Sequence, residues 1–405
     1  MGPDPLTVPP LEHEDHSWTA EPDGMSSRAK VAAASGPYQS SVPALIADLR
    51  LDIPSDLAAD AEEAVAALAG FDRYAQATLG PGSPVLDPMA SVLLRTESAS
   101  SSQIENLTVG ARQLALAEID QATSENAGVV VANVRAMEAA LRLAGHLDEE
   151  AIRAMQAELL GGQPGWAEHA GHYRTALVWI GTSRITPRGA AHVAPQAALV
   201  QPTMADLVRF LRRDDLPVLV QAAVAHAQFE TIHPFADGNG RTGRALVHAL
   251  LRGKGVLRHT TAPVSAGLLT DTEGYFRALD TFRTGDARPI VEQFADAARF
   301  AAHSGAALVD DLAAQLAADR ERLATLRPQA AAWRVLPHLV AHPVVNSALL
   351  TRRLGLNDNT AQRALAQLAD AGVLEERSGR QRNRVWQHPG VLTVLDVYAQ
   401  QLRRA

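Results

Sequence analysis

His233-Pro234-Phe235-Ala236-Asp237-Gly238-Asn239-Gly240-Arg241-Thr242-Gly243-Arg244 gathers an imidazole, a carboxylate, closely spaced glycines and two guanidiniums into twelve residues. That is the inventory needed to handle a nucleotide's phosphates. A histidine is readily neutral yet basic near neutral pH, so His233 is suited to take a proton from an attacking hydroxyl. Asp237, four residues on, offers hard oxygen ligation, and Mg²⁺ is commonly held by one or two carboxylates together with substrate phosphate oxygens. Gly238 and Gly240 remove Cβ atoms where the backbone must bend and approach a ligand, and Arg241 to Arg252 is predicted as a helix. Phosphate would then meet the free N–H groups and positive dipole end of a helix N-terminus. Arg241 and Arg244 lie three apart and share one helical face, from which both can reach a polyphosphate. No Gly-Lys-Ser/Thr is present in the string, so it is not a Walker loop.

The bland reading is a polar turn between two helices with solvated charges, and a lone Gly-Asn-Gly would not decide against it. The flanks add information. Asp215 to Glu230 gives a helix start followed by a nearly all-apolar segment, predicted as a central buried helix with Pro217 in its first turn. His226 lies on it; a core histidine satisfied by a hydrogen bond is favoured there over a metal site with His233 and Asp237, since no fourth ligand is near. Upstream, Gly171 to Gly181, leading on to Pro195, is rich in Val, Ile, Thr and turn residues and is predicted as a short hairpin.

At every defined position the twelve-residue string resembles the signature of the Fic (filamentation induced by cAMP) family, His-x-Phe-x-Asp/Glu-Gly-Asn-Gly-Arg-x-x-Arg. The resemblance implies transfer of AMP from ATP to a Ser, Thr or Tyr hydroxyl of a target protein, with release of pyrophosphate. It implies His233 as general base, Asp237 as Mg²⁺ ligand, and Asn239 with the Gly238 and Gly240 backbone as a phosphate cradle. Arg241 and Arg244 would bind the β- and γ-phosphates, and Phe235 would anchor the loop. The 171–195 hairpin takes the position of the flap, whose strand edge pairs with the target segment. The double proline common at the flap's end in relatives is reduced here to Pro195. Downstream, Tyr275 is expected against the adenosine, with plain core as the competing reading.

A second string, Ser101 to Asn106 within Glu97-Ser98-Ala99-Ser100-Ser101-Ser102-Gln103-Ile104-Glu105-Asn106, resembles the family's inhibitory pattern, Ser/Thr-x-x-x-Glu-Gly/Asn. By itself the pattern is short, and a glutamate on a Ser-rich helix is usually solvated. The implied mechanism has Glu105 pairing with Arg244 and forcing ATP into an unproductive pose. A charge-assisted contact of roughly 1.5–3 kcal/mol would suppress turnover about ten- to a hundredfold. The same carboxylate can instead orient a water for AMP removal, an activity of some relatives.

The 405 residues suit two or three domains, and 47% apolar with only 4% aromatic residues predicts a mainly α protein. The expected fold is a Fic-type helical core with a short hairpin flap, an N-terminal helical unit and a C-terminal winged helix-turn-helix. The chain has no cysteine, which excludes disulfides and thiolate metal sites. Neither a membrane span nor a cleavable leader is indicated, so a cytoplasmic protein without membrane contact is expected. A net charge of −8 argues against indiscriminate coating of nucleic acid.

Composition makes 1–40 a mobile segment; 41–146, which includes a helix over 57–71, is the N-terminal helical unit that by the resemblance carries the inhibitory motif. The resemblance places the catalytic domain at 147–302; a connecting helix within 303–329 and a separate module at 330–405 follow. In that module Thr351 to Leu365 looks like a helix-turn-helix, and the whole resembles a winged helix. Between Thr351 and His388 stand seven arginines against four acids. Thr360, Gln362, Arg363, Arg380, Arg382 and Arg384 form the candidate DNA-reading surface, although winged helices also serve in dimerisation or target docking. Two readings therefore stand: an autoinhibited protein adenylyltransferase, or a DNA-binding regulator whose Fic domain senses nucleotide. A homodimer is compatible with either.

Overall fold

Alanine-rich stretches of helical period fold as helices, since alanine has the best helix propensity and the spacing gives each helix one face to bury. The computed structural model describes residues 3–22, 24–80, 83–377 and 384–402. The chain opens with β1 (Glu12–Trp18), α1 (Arg28–Ala34), β2 (Gly36–Val42), α2 (Ser55–Leu79), α3 (Leu86–Ile104), α4 (Ala111–Ala117), α5 (Glu125–Leu143) and α6 (Glu149–Leu160). Its middle holds β3 (Trp179–Ile180), β4 (His192–Val193), α7 (Ala197–Leu211), α8 (Val218–Ile232), α9 (Asn239–Gly253), α10 (Val264–Thr270), α11 (Thr272–Arg283) and α12 (Arg288–Arg322). It closes with α13 (Ala331–Ala341), β5 (Val344–Val345), α14 (Ser347–Leu354), α15 (Asp358–Asp370), β6 (Glu375–Glu376), β7 (Trp386–Gln387) and α16 (Pro389–Gln401). Helix dominates among the described residues, as the composition implies.

Two compact units share the chain, interleaved along it. The first comprises Met1–Glu63, Glu138–Lys254 and Glu273–Ala295, and the second Ala64–Met137, Gly255–Thr272 and Asp296–Ala405. This division cuts across the linear boundaries expected from the sequence. One of those boundaries has no counterpart in the helices: α12 runs unbroken through residues 302 and 303. Gly305, a nominal helix breaker, is there for packing, because a Cβ on it would come 2.9 Å from the Phe71 ring.

In the first unit α8 is the central helix. Every residue from Leu219 to Ile232 is buried, polar ones such as Gln221, His226 and Glu230 included, and α7 and α9 pack against it. The close approach of α8 and α9 depends on Gly243, where a Cβ would meet Phe229, Glu230 and His226 at 3.0–3.2 Å. The hairpin expected before α7 is present as a short ladder, Trp179 opposite Val193 and Ile180 opposite His192.

Within the 1–40 segment expected to be mobile and just beyond it, Glu12–Trp18 and Gly36–Val42 form a seven-pair antiparallel ladder from Glu12↔Val42 to Trp18↔Gly36, with α1 in the connection. Their polarity misleads because β1 is mostly exposed, while its aromatic residues find partners elsewhere. Trp18 donates its indole N–H to the Ile185 carbonyl at 2.8 Å and meets Trp179 edge-on at 5.2 Å. Arg188 donates to the carbonyls of Ala33 and Ser35, and the Thr186 hydroxyl to that of Ala34. The N-terminal segment thus grips the loop between β3 and β4.

In the second unit α3 packs on α10 and α13. Its Ser98, Ser100, Ser101 and Ser102 are all buried, small side chains that let neighbours approach, and the buried Glu97 accepts from the Ser265 N–H and hydroxyl. Asp72 gathers the N–H groups of Arg258, His259 and Thr260. The C-terminal stretch gives α13, β5, α14, α15, then β6 and β7, in a three-stranded antiparallel sheet of order β5-β7-β6. The strand β5 and the helix α16 were not legible beforehand.

Candidate active site

The signature string begins where α8 stops. His233 adopts a left-handed conformation, φ 49° and ψ 61°, while its N–H still reaches the Phe229 carbonyl at 2.9 Å. Pro234 cannot continue a helix. The turned chain then drives Phe235 fully into the core, with ring centroids 5.5 Å from Tyr173 and 6.3 Å from Phe229. Phe235 is therefore an anchor and exposes nothing to a ligand.

Asn239 closes the loop. Its Oδ1 accepts from the Phe235 N–H and its Nδ2 donates to the Phe235 carbonyl, both at 2.9 Å. The side chain mimics a backbone partner, so both ends of its amide serve the shape of the bend. Gly238, with φ 82°, caps α9, and a Cβ there would fall 2.6 Å from Leu159 Cδ2. Gly240 occupies the first turn of α9, where the orphan N–H groups of a helix start are found.

Asp237 remains part-exposed before this helix start, its Oδ2 3.1 Å from the Arg241 guanidinium. Arg241 and Arg244 are 4% and 2% exposed, so the fold fixes both rather than leaving them to sweep solvent. The Glu230 carboxylate lies 3.7 Å from His233 Nδ1, one helical turn back on α8. Among the described residues no group of three or more His, Asp or Glu side chains is arranged to hold a metal ion. A single accessible carboxylate beside a helix N-terminus fits a cation that arrives with a nucleotide.

Several residues beyond the string shape it. Arg174 donates from Nε to the His233 carbonyl at 2.8 Å, and Gln156, fully buried, bonds the Asp237 carbonyl and the Gly171 N–H. His192 on β4 lies 2.9 Å through Nε2 from the Thr231 carbonyl. Burial, then the nearby Arg283 charge, pushes the His192 pKa down to about 2, so the ring is neutral and donates. The only sequence signal for these three was a polar residue within an otherwise apolar or helical run.

Tyr275 departs from its expected place against an adenosine. It is 1% exposed, with its hydroxyl 2.7 Å from His226 Nε2. His226 is buried too, its pKa driven to about 3 by desolvation and then by the Arg244 charge. The pair is a neutral core contact, because a ring so enclosed presents no face for stacking; the next residue, Phe276, is the exposed aromatic.

In the second unit, Ser101 to Asn106 forms the end of α3. Glu105 is the C-cap and Asn106 has φ 61°, with the Asn106 N–H reaching the Gln103 carbonyl and the Leu107 N–H that of Ser102. This left-handed stop explains why the last position of such a pattern is Gly or Asn. Further along, Arg363 on α15 is exposed, Thr360 and Gln362 are half-buried, and Arg384 is committed to Glu376 and stacks over Trp386 at 4.8 Å. Arg380 and Arg382 lie outside the described residues.

Comparison with known proteins gives two family matches: the Fic/DOC family over residues 146–251 and the Fic/DOC family N-terminal region over 56–142. Protein adenylyltransferase fic-1 of Caenorhabditis briggsae is 35% identical over 129 residues, 31% of this chain and 22% of the relative. A probable protein adenylyltransferase of Aquifex aeolicus (strain VF5) is 39% identical over 70 residues, 17% of this chain and 22% of the relative. The chain thus spans about a fifth of the length of the relatives it matches. A Fic family protein from Desulfovibrio desulfuricans G20 shares the fold at a TM-score of 0.51 and 24% identity, over 84% of this chain and 97% of that one. The signature bend lies within the first of these matches, so residues 146–251 carry a Fic/DOC domain, preceded over 56–142 by the family's N-terminal region.

Proposed function

We propose that this protein is an autoinhibited protein adenylyltransferase that moves AMP from ATP to a protein hydroxyl. One observation carries the reading: a single left-handed bend holds His233 next to the start of α9, with Asp237 before it and buried Arg241 and Arg244 upon it. The hydroxyl oxygen of the target attacks the α-phosphorus and its proton passes to the His233 imidazole. The bond to the bridging oxygen breaks and pyrophosphate leaves. Arg241, Arg244 and the helix N-terminus stabilise the charge on the polyphosphate, so positioning and electrostatics do most of the work. Asp237 would hold Mg²⁺ together with the nucleotide's own oxygens; when bound, the cation neutralises phosphate charge.

Glu105 is the proposed inhibitory group. Support comes from the motif and from its seat at the left-handed stop of α3. Lysate incubated with labelled ATP and Mg²⁺ tests both assignments by mass spectrometry of AMP-bearing proteins. Glu105→Gly is expected to raise modification about ten- to a hundredfold, and His233→Ala to abolish it. A Glu105→Gly protein as quiet as the parent would remove the inhibitory assignment.

A second role, DNA binding by a winged helix over 330–405, draws on the helix-and-strand order there and on exposed Arg352, Arg353 and Arg363. Arg384, neutralised by Glu376, contributes less than its sequence position suggested. A salt-dependent shift of duplex DNA that is lost in Arg363→Ala is the expected result.

A further inference from the structure

The Arg174 side chain, 5% exposed, spends its donors on main-chain carbonyls. Nε reaches His233 O at 2.8 Å, one terminal nitrogen reaches Ala176 O at 3.0 Å, and the other reaches Pro195 O at 2.7 Å and Ile232 O at 3.3 Å. Its own N–H donates to Pro234 O at 2.9 Å. Ala176 precedes β3 and Pro195 follows β4, so one planar group clasps both feet of the flap and the two carbonyls that flank the His233 Cα. The last carbonyls of a helix lack intrahelical partners and carry the negative dipole end. A cation is suited to that place, and only a guanidinium has enough donors in a rigid fork to serve four carbonyls. Burial lowers the Arg174 pKa to about 10, which still leaves it charged at neutral pH. A second bond joins the same parts, His192 on β4 donating to the Thr231 carbonyl.

Resting on the adenylyltransferase reading, we propose that Arg174 is a positioning residue: it holds the His233 backbone in register with the flap, so that a hydroxyl presented at the flap meets the imidazole. Lysine in its place keeps the charge and loses the fork. The test uses the full chain with Glu105→Gly as background, comparing Arg174→Lys, His192→Gln and His233→Ala. Target modification, nucleotide affinity by calorimetry and folded fraction by circular dichroism are measured for each.

Arg174→Lys is expected to lower kcat for target modification at least tenfold per folded molecule, with ATP affinity within threefold of the background. His192→Gln should show the same split at smaller size, and it carries the test if the lysine variant does not fold. An unchanged kcat per folded molecule, with only stability reduced, would overturn the proposal. So would a loss of ATP affinity in step with the rate, which would assign Arg174 to the nucleotide. Activity retained in His233→Ala would instead count against the underlying enzymatic reading.

Discussion

Replacing Gly238 by alanine is expected to strain the bend that the site is built on, by an amount that can be worked from two separate causes. At φ 82° an L-residue suffers a backbone clash of about 1–2 kcal/mol. The new methyl would also lie 2.6 Å from Leu159 Cδ2, a side chain with no exposure in α6, and overpacking of this kind costs about 1–3 kcal/mol. The sum is about 2–5 kcal/mol, measurable as a shift of the urea midpoint. Leu159→Ala alone should cost about 2–5 kcal/mol through its cavity. Combined with Gly238→Ala it removes the clash but leaves the backbone strain, so the double variant should fall short of the summed losses by about 1–3 kcal/mol. Additive losses, or an alanine at 238 tolerated within about 0.5 kcal/mol, would refute the geometry argued for the start of α9.

Acid should weaken the fold before its carboxylates titrate. His192 and His226 titrate near 2 and near 3 when folded, against about 6.5 in an unfolded chain. Above 6.5 both states are neutral and the histidines contribute nothing. Below it the unfolded chain takes up protons that the folded one refuses, at a loss of about 1.4 kcal/mol per histidine per pH unit. Denaturation at pH 7.5 and 5.5 should therefore differ by about 2–3 kcal/mol, and a flat profile would contradict the burial of the two rings. Trp18→Ala removes the bond to Ile185 and two aromatic contacts, worth together about 2–4 kcal/mol. Hydrogen exchange should quicken in the 12–42 ladder and the loop it grips while α8 and α9 stay protected; uniform deprotection would show that the segment is not a separate clasp.

The signature string and the helices around it were legible because residue type alone dictates them: a mostly apolar run for α8, glycines for the bend, and arginines at helical spacing behind it. What stayed hidden depended on partners distant in sequence. Nothing in the 12–42 stretch announces a ladder when most of β1 faces solvent, since hydrophobic alternation needs one buried face. Phe235 and Tyr275 look alike as aromatic residues near a site, and only packing separates the anchor from a core ring bonded to His226. Ser98, Ser100, Ser101 and Ser102 gave no sign of burial in the sequence, yet they are buried because small side chains suit close helix contact. Arg174 carried no motif, since a guanidinium that recognises carbonyls leaves no acidic partner to notice.

On the adenylyltransferase reading proposed above, the left-handed turn at His233 sets chemistry against durability. Glycine would sit there more comfortably, by about 1–2 kcal/mol, and so would be enriched by any laboratory selection that scores only soluble yield or heat tolerance. Such a campaign would drift toward sturdier, silent proteins, and turnover has to be scored from its first round.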